Sequence, residues 1–408
     1  MLLVGTSGAG KSTFARTKFR PHETLSSDFF RGMVRNDETD MGASADAFDV
    51  LRSVLRKRLA AGLLTVVDAT NVRPEERKPL IAIAKTFHAT PVAIVLDVPL
   101  ETAITRNDAR GDRPNSRSYV TQQRAHLDRS RDRLGREGLR HVYVLRGEDE
   151  ITAATIRRVA SPSDRRDECG PFDIVGDVHG CLGELTRLLT KLGYDAANGF
   201  RPPAGRRLVF LGDLVDRGPS SVGCLRLAMA MVERGDAICL PGNHDVKLAR
   251  WLRGENVRIG HGLERTIAEM QSVDASERLR FATFIDGLVP HVVLDEGRLV
   301  VAHAGLKQEM QLRITGAVRA FALYGDTTGE VDELGLPVRR DWAADYHGAA
   351  AVVYGHTPTH EALWVNETIC IDTGCVFGGA LTALRWPERE LVREPAAETY
   401  FTAEKSIA

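Results

Sequence analysis

The sequence predicts an α/β protein of two units in tandem: a P-loop unit with a parallel sheet, then a second α/β unit built around metal ligands. Three observations carry this. Gly5-Thr6-Ser7-Gly8-Ala9-Gly10-Lys11-Ser12-Thr13 fits the pattern G-x-x-x-x-G-K-S/T, with an apolar run before it and a helical period after it. Apolar runs of strand length alternate with helical periods through residues 1–160, the pattern of a parallel sheet. In the second half, five apolar runs each end in a polar, metal-capable side chain beside a glycine.

Composition sets the class. The chain has 408 residues, 43% hydrophobic and 27% charged, which suits two or three soluble globular domains. No apolar run approaches the ~18 residues of a membrane span, and no basic leader precedes an apolar core, so neither a membrane anchor nor a signal peptide is expected. The six cysteines form no Cys-x-x-Cys pair and read as reduced thiols of a cytoplasmic protein. The net charge of −1 hides an asymmetry. Residues 1–160 hold 27 Lys and Arg against 20 Asp and Glu, a balance of +7, and the remainder holds 27 against 35, or −8. A basic front suits a polyanionic partner and an acidic back suits bound cations, although solvated faces give the same counts.

In the front half, Gly5, Gly8 and Gly10 let backbone N–H groups wrap phosphates. Lys11 is placed to reach the β and γ phosphates, with the Ser12 hydroxyl on Mg²⁺ and Thr13 beside it. Only four residues precede Gly5, fewer than the roughly five of an ordinary strand, so the natural start is expected a few residues upstream. A short strand then delivers Asp28 and Arg31 to the same mouth. Asp28 can accept the proton of an attacking hydroxyl and Arg31 can hold a substrate phosphate; a helix cap at Ser27 or Asp28 is the competing reading. Residues 45–61 have a helical period, 63–71 read as a central strand ending in polar groups, 74–87 as a helix with proline in its first turn, and 91–98 as a strand. Arg106, Arg110 and Arg113 lie around Gly111 on a segment that reads as a lid, where arginines can stabilise a phosphoryl group in transfer. Residues 117–140 read as a solvated helix with i,i+4 ion pairs, 141–145 as the last strand, and 148–159 as a closing helix.

The phosphate loop, Ser26-Ser27-Asp28-Phe29-Phe30-Arg31, Val67-Asp68-Ala69-Thr70-Asn71 and Thr105-Arg106-Asn107-Asp108-Ala109-Arg110-Gly111-Asp112-Arg113 together resemble the kinase module of bacterial polynucleotide kinase-phosphatase, an RNA end-healing family. The resemblance implies transfer of the ATP γ-phosphate to a 5′-OH end. In that reading Lys11 and Ser12 hold ATP and Mg²⁺, Asp28 is the general base, Arg31 supports the substrate, and Arg106 and Arg110 bind phosphates.

Residues 160–171 are polar, carry two prolines and have no period; 161–171 are expected as a linker between a kinase domain at 1–160 and a second domain at 172–395, followed by a tail at 396–408. Beyond the linker, Phe172-Asp173-Ile174-Val175 ends in Asp177 and His179. Leu208-Val209-Phe210-Leu211 ends in Asp213, and residues 237–240 end in Asn243. Residues 299–302 end in His303, and 351–354 in His356. This mixed oxygen and nitrogen set suits Mn²⁺, Fe or Zn²⁺ better than Ca²⁺. His244, next to a ligand but facing elsewhere, is the expected general acid, oriented by Asp216; Arg217 is the expected phosphate ligand. Asp372, after a strand, is placed behind the ligands or in a plain turn. Residues 246–290 read as a helical lid.

This set resembles the binuclear metallophosphoesterase superfamily. Its order, with the tail Ile371-Asp372-Thr373-Gly374-Cys375-Val376-Phe377-Gly378-Gly379, resembles the phosphatase module of the same repair family. The resemblance implies an αββα-type sandwich and two divalent metals, Mn²⁺ first among them. Asp245 stands where many serine/threonine phosphatases have Glu, which weakens a protein-phosphatase reading. The family's fullest form continues into a ligase domain. Here the chain stops at Ala408, so the expectation is either a two-domain form or a neighbouring chain that supplies ligation.

The expectation is a bifunctional enzyme that phosphorylates 5′-OH polynucleotide ends and removes 3′-phosphate, 2′,3′-cyclic or 2′-phosphate ends. Its expected partners are RNA or DNA ends, a separate ligase, an RNA 3′-end ribose methyltransferase and a second copy of itself. The alternatives are a dinucleoside-polyphosphate or serine/threonine protein phosphatase fused to a small-molecule kinase, or to a nucleotide-gated switch.

Overall fold

The structure is a computed structural model and describes residues 1–110, 117–331 and 337–402. The chain forms two compact units, Met1–Val159 and Ala160–Ala408.

The first unit runs β1 (Leu2–Val4), α1 (Lys11–Lys18), β2 (Thr24–Ser26), α2 (Ser27–Arg35), α3 (Ser44–Ala60), β3 (Val66–Asp68), α4 (Pro74–Thr86), β4 (Val92–Asp97), α5 (Leu100–Asp108), α6 (Arg117–Ser130), β5 (His141–Arg146) and α7 (Gly147–Ala153). The five strands are parallel, in the order β2-β3-β1-β4-β5. Central strands of such a sheet are buried on both faces and therefore read as unbroken apolar runs. Leu2 and Val4 join one core cluster, and Leu3, on the opposite face, joins another. The C-terminal ends of β1, β2 and β3 bring the phosphate loop, Asp28 and Asp68 to one edge.

Two expectations need correction. The closing helix ends at Ala153, and Ala154 is already extended. Ile151, Ala154 and Ile156 all pack on the core, so an extended segment meets the apolar spacing that suggested a longer helix. The arginine-rich stretch is not simply a solvated face. Arg124 and Arg131 both donate to Asp97 at the end of β4, at 2.7 and 2.8 Å. Glu137 takes two bonds, at 2.6 and 2.7 Å, from Arg77, which is fully buried. The expected i,i+4 pair of Arg124 with Asp128 is also present.

The second unit runs β6 (Phe172–Val175), α8 (Leu182–Lys191), β7 (Arg207–Phe210), α9 (Ser221–Glu233), β8 (Ala237–Cys239), α10 (Asn243–Leu252), α11 (Leu263–Met270), α12 (Ala275–Gly287), β9 (His291–Leu294), β10 (Leu299–Ala302), α13 (Gly316–Tyr324), β11 (Thr327–Val331), β12 (Pro337–Arg339), β13 (Ala351–Tyr354), β14 (Trp364–Val365), β15 (Thr368–Cys370), β16 (Asp372–Thr373), β17 (Ala380–Trp386) and β18 (Glu390–Pro395). One sheet has the order β16-β17-β6-β7-β8, with β18 on β17; the other has β14-β15-β13-β10-β9. The two sheets face each other. Ile174, Val209 and Ile238 from the first meet Val301, Val353 and Ile369 from the second in one cluster. Their alternate residues point outward: Val175, Leu208 and Phe210 pack under α8, α9 and α12, while Val300 and Val352 pack under α13. A period of two along each strand thus produces an αββα sandwich.

The segment expected as an exposed linker is partly built into this sandwich. Val293 N donates to Ser163 O and Arg165 N to Val293 O, so residues 163–165 extend the edge at β9, and Ser163 is fully buried. A row of unpaired N–H and C=O groups on an edge strand recruits such a segment. The helical stretch after Asn243 is three helices, interrupted at 253–262 and 271–274. Five cysteines are buried, Cys169 is exposed, and all six are free thiols. Among the described residues no helix is long and apolar enough to cross a membrane.

Candidate functional site

The first unit presents a phosphate-loop cavity. Gly10, in a left-handed conformation, opens α1, whose first N–H groups make an anion seat. Lys11 Nζ donates to the carbonyls of Gly5 (3.0 Å) and Thr6 (2.8 Å), which curls it over its own loop. Lys11, Ser12, Asp28, Arg31, Asp68 and Arg110 line a cavity of about 190 Å³. The cap of α2 is Ser26, which accepts from Phe29 N, and not Ser27 or Asp28; the Asp28 carboxylate is left at the cavity, ion-paired with Arg31. Arg31 also donates to Glu38 O at 2.7 Å. Gly8, Gly10, Thr13, Arg106 and Arg110 line a second, wider cavity of about 530 Å³. Arg106 is paired there with Glu148 at 2.6 Å. Gly111 and Arg113 lie outside the described residues. Sequence reasoning did not single out Asp68, a buried carboxylate at the end of β3; its signal was its place in the polar end of a central strand.

In the second unit, strand ends and the turns after them converge. Asp213 is the shared group. Its Oδ2 lies 3.6 Å from His179 Nε2 and 3.4 Å from His303 Nε2. His303 Nε2 is 3.1 Å from Asn243 Oδ1 and 3.2 Å from His356 Nδ1. Asp177 Oδ1 lies 4.0 Å from His303 Nδ1, and Asp177 Oδ2 accepts from the His356 backbone at 3.1 Å. All six expected ligands are therefore brought to one place. His179 Nδ1 sits 2.9 Å from Val215 O, which leaves Nε2 toward the cluster. His179, Asp213, Asp216, Arg217 and His356 have φ between 44° and 72°, a backbone region in which strain is held at functional sites. Two glycines make the close approach possible. A Cβ on Gly242 would lie 2.0 Å from Asp213 Oδ1, and one on Gly355 would lie 2.2 Å from Asp177 Oδ1.

The donors fit divalent cations. Asp177 Oδ1 and His303 Nδ1 are buried without a hydrogen-bond partner, and buried polar atoms are otherwise nearly always satisfied. Asp213 with His179 and His244, and Asp213 with His303 and His356, each place ligand atoms within 4.8 Å of one another. Burial, then the neighbouring Asp372, pushes Asp177 well above the usual carboxylate range. Burial also works against Asp213, but His303 and His244 hold it well below that range. His303 is driven up to about 9; burial opposes this and the carboxylates of Asp213 and Asp177 outweigh it.

His244 points away from Asn243. Its Nδ1 lies 2.6 Å from Asp216 Oδ2, and the other oxygen of Asp216 accepts from Thr266 Oγ1 at 2.6 Å. Arg217 Nη1 is 2.7 Å from His179 Nε2. Asp372 is buried and accepts from Gly374 N at 3.1 Å, so it serves its turn while its charge also faces Asp177. Two roles escaped the sequence reading. Asp245 accepts from Gly242 N and Leu214 N at 2.9 and 3.0 Å and so buttresses two ligand loops. Arg339, on β12, brings Nη2 to 2.8 Å from His356 Nε2, which sets a second guanidinium at the opposite end of the cluster from Arg217. No local motif marks Arg339.

Residues 170–360 match the calcineurin-like phosphoesterase family and residues 1–136 match an AAA domain family. A bis(5′-nucleosyl)-tetraphosphatase PrpE of Geobacillus thermodenitrificans is 50% identical over 231 residues, 55% of this chain and 94% of that protein. The proteins of the same description from Anoxybacillus flavithermus and Bacillus subtilis are 46% and 47% identical, over 97% and 96% of their lengths. These relatives cover the phosphoesterase part alone. With its six metal-capable side chains at strand ends and relatives matched over nearly their whole length, the chain belongs to the calcineurin-like phosphoesterase family, joined in one polypeptide to an AAA-type phosphate-loop domain.

Proposed function

We propose that this chain is a bifunctional polynucleotide end-processing enzyme. Its first unit transfers the γ-phosphate of ATP, with Mg²⁺, to 5′-OH ends; its second unit removes 3′-terminal phosphate, with two divalent metals of which Mn²⁺ is the first candidate. The observation that carries the reading is the cavity in which Asp28 faces the phosphate loop, because a nucleotide switch needs no hydroxyl base. The Asp28 carboxylate accepts the proton of the attacking hydroxyl, Arg31 holds Asp28 in place and offers its free edge to substrate phosphate, and Lys11 uncurls toward the nucleotide.

In the second unit, Asp177, His179, Asp213, Asn243, His303 and His356 would hold the cations. Bound, these would neutralise phosphate charge and acidify a water. Arg217 binds the phosphate, His244 protonates the leaving oxygen, and Asp216 keeps the imidazole oriented. A second reading is favoured by the 50% identity to tetraphosphatases: hydrolysis of dinucleoside polyphosphates by the second unit.

The test uses a short RNA with 5′-OH and 2′,3′-cyclic phosphate ends, incubated with ATP, Mg²⁺ and Mn²⁺ and weighed by mass spectrometry. Phosphate gained at one end and lost from the other supports the reading, with Lys11→Ala removing only the first change and Asp213→Ala only the second. Two unchanged ends, with diadenosine tetraphosphate cleaved in parallel, would replace it with the second reading.

A further inference from the structure

Arg217 raises a question of positioning. A guanidinium is commonly fixed by a carboxylate, but a carboxylate competes with phosphate for the same face. Among the described residues no carboxylate pairs with Arg217, and its Nε is buried without a partner. Its contact with His179 involves Nη1 alone. What it has instead is aromatic. Its Cζ lies over the Phe377 ring, 5.2 Å from the centroid, and over the Phe401 ring, 5.8 Å from the centroid. The two rings stand edge to face, 6.2 Å apart, and form a notch.

Phe401 comes from the segment beyond β18, and that segment is tied down. Tyr400 N and Phe401 N both donate to Val376 O, at 3.1 and 3.0 Å. Ala397 N and the Tyr400 hydroxyl both donate to Glu184 Oε1 at 2.9 Å. Arg265 Nη1 joins the segment to the arginine itself, donating to Tyr400 O at 2.9 Å and to Arg217 O at 2.6 Å. This segment is therefore the back wall of the phosphate ligand.

We propose that Phe401, together with Phe377, is a positioning residue for phosphate binding: the aromatic notch holds the Arg217 cation in its phosphate-binding pose without neutralising it. Ring faces attract a cation through their quadrupole and leave its N–H edge free for an anion. The inference rests on reading Arg217 as a phosphate ligand.

The experiment uses the full chain loaded with Mn²⁺, p-nitrophenyl phosphate as substrate and inorganic phosphate as competitive inhibitor. Phe401→Leu should raise both KM and the phosphate inhibition constant by about three- to tenfold, the scale of a partly desolvated cation–π contact, with a smaller change in kcat. Phe401→Tyr, which keeps the ring, should stay within about twofold. In an Arg217→Gln background, Phe401→Leu should change neither constant further. Where Phe401→Leu folds poorly by circular dichroism, Phe377→Leu probes the same notch from another element. Wild-type constants in the leucine variant that folds, or an equal loss with Arg217 already removed, would overturn the positioning role. A wild-type phosphate inhibition constant in Arg217→Gln would instead overturn the reading of Arg217, and the proposal with it.

Discussion

His244, Asp216 and Thr266 form a chain of short hydrogen bonds behind the six metal-capable side chains, with 2.6 Å at both links. An imidazole held at Nδ1 by a buried carboxylate presents Nε2 in a fixed direction, as a proton donor to a leaving group requires. His244→Asn keeps a polar side chain of similar reach but removes the titrating ring. It should lower phosphatase kcat by about 10²–10⁴-fold, the usual worth of general acid catalysis. Metal content by plasma mass spectrometry should be unchanged. Loss of bound metal in that variant would instead make His244 a ligand, which its proximity to His179 and Asp213 allows. The pairing of His244 with Asp216 could be reached from sequence because adjacent residues after a strand diverge. The role of Asp245 could not, because its two backbone partners, Gly242 and Leu214, come from different strand ends.

Single elements carry the stability. The fully buried guanidinium of Arg77 on α4 donates to Asn71 O at 2.6 Å as well as to both oxygens of Glu137. It thereby ties the end of β3 to the turn after α6. Removing one partner of a buried ion pair leaves the other uncompensated, so Arg77→Ala should cost about 3–5 kcal/mol, read from urea unfolding of the first unit's transition. In the second unit, β9 buries His291 with neither ring nitrogen bonded, and burial pushes its pKa down to about 4. The folded state therefore keeps this imidazole neutral while the unfolded chain takes up a proton near 6.5. Its contribution to stability is full above about pH 6.5 and is lost as pH falls toward 4, by up to about 3 kcal/mol. His291→Leu should flatten that acid slope, and the urea midpoints of variant and wild type at pH 7 and pH 5 will show whether it does. Neither feature was visible in sequence. Arg77 looked like one basic residue of an ordinary helix, and His291 looked like any histidine in an apolar run.

At the scale of the whole molecule, the elements that could be read were those whose cause is local. The phosphate loop and the five strand-to-ligand fragments each bring their own strand, glycine and polar group within about ten residues, and strand order then assembles them. What needed the structure is what distant segments do to each other: the edge formed by residues 163–165, Arg339 over His356, and Phe401 beside Arg217. Charge is legible at this scale too, and it yields a prediction that separates the two proposed activities. The first 160 residues carry +7 and the rest −8. If the first unit meets a polynucleotide through its phosphates, binding releases condensed counterions and the apparent affinity falls with salt, with a slope near −0.7 per phosphate contact on a single strand. A small phosphate monoester on the acidic second unit releases none. Raising salt from about 50 to 200 mM should therefore increase the KM of the proposed kinase for a 5′-OH oligonucleotide by about sevenfold or more, given two or more such contacts. The KM for p-nitrophenyl phosphate should move by less than about twofold. Equal salt dependence of the two constants would mean that the basic residues of the first unit are a solvated face, and that its acceptor is a small molecule.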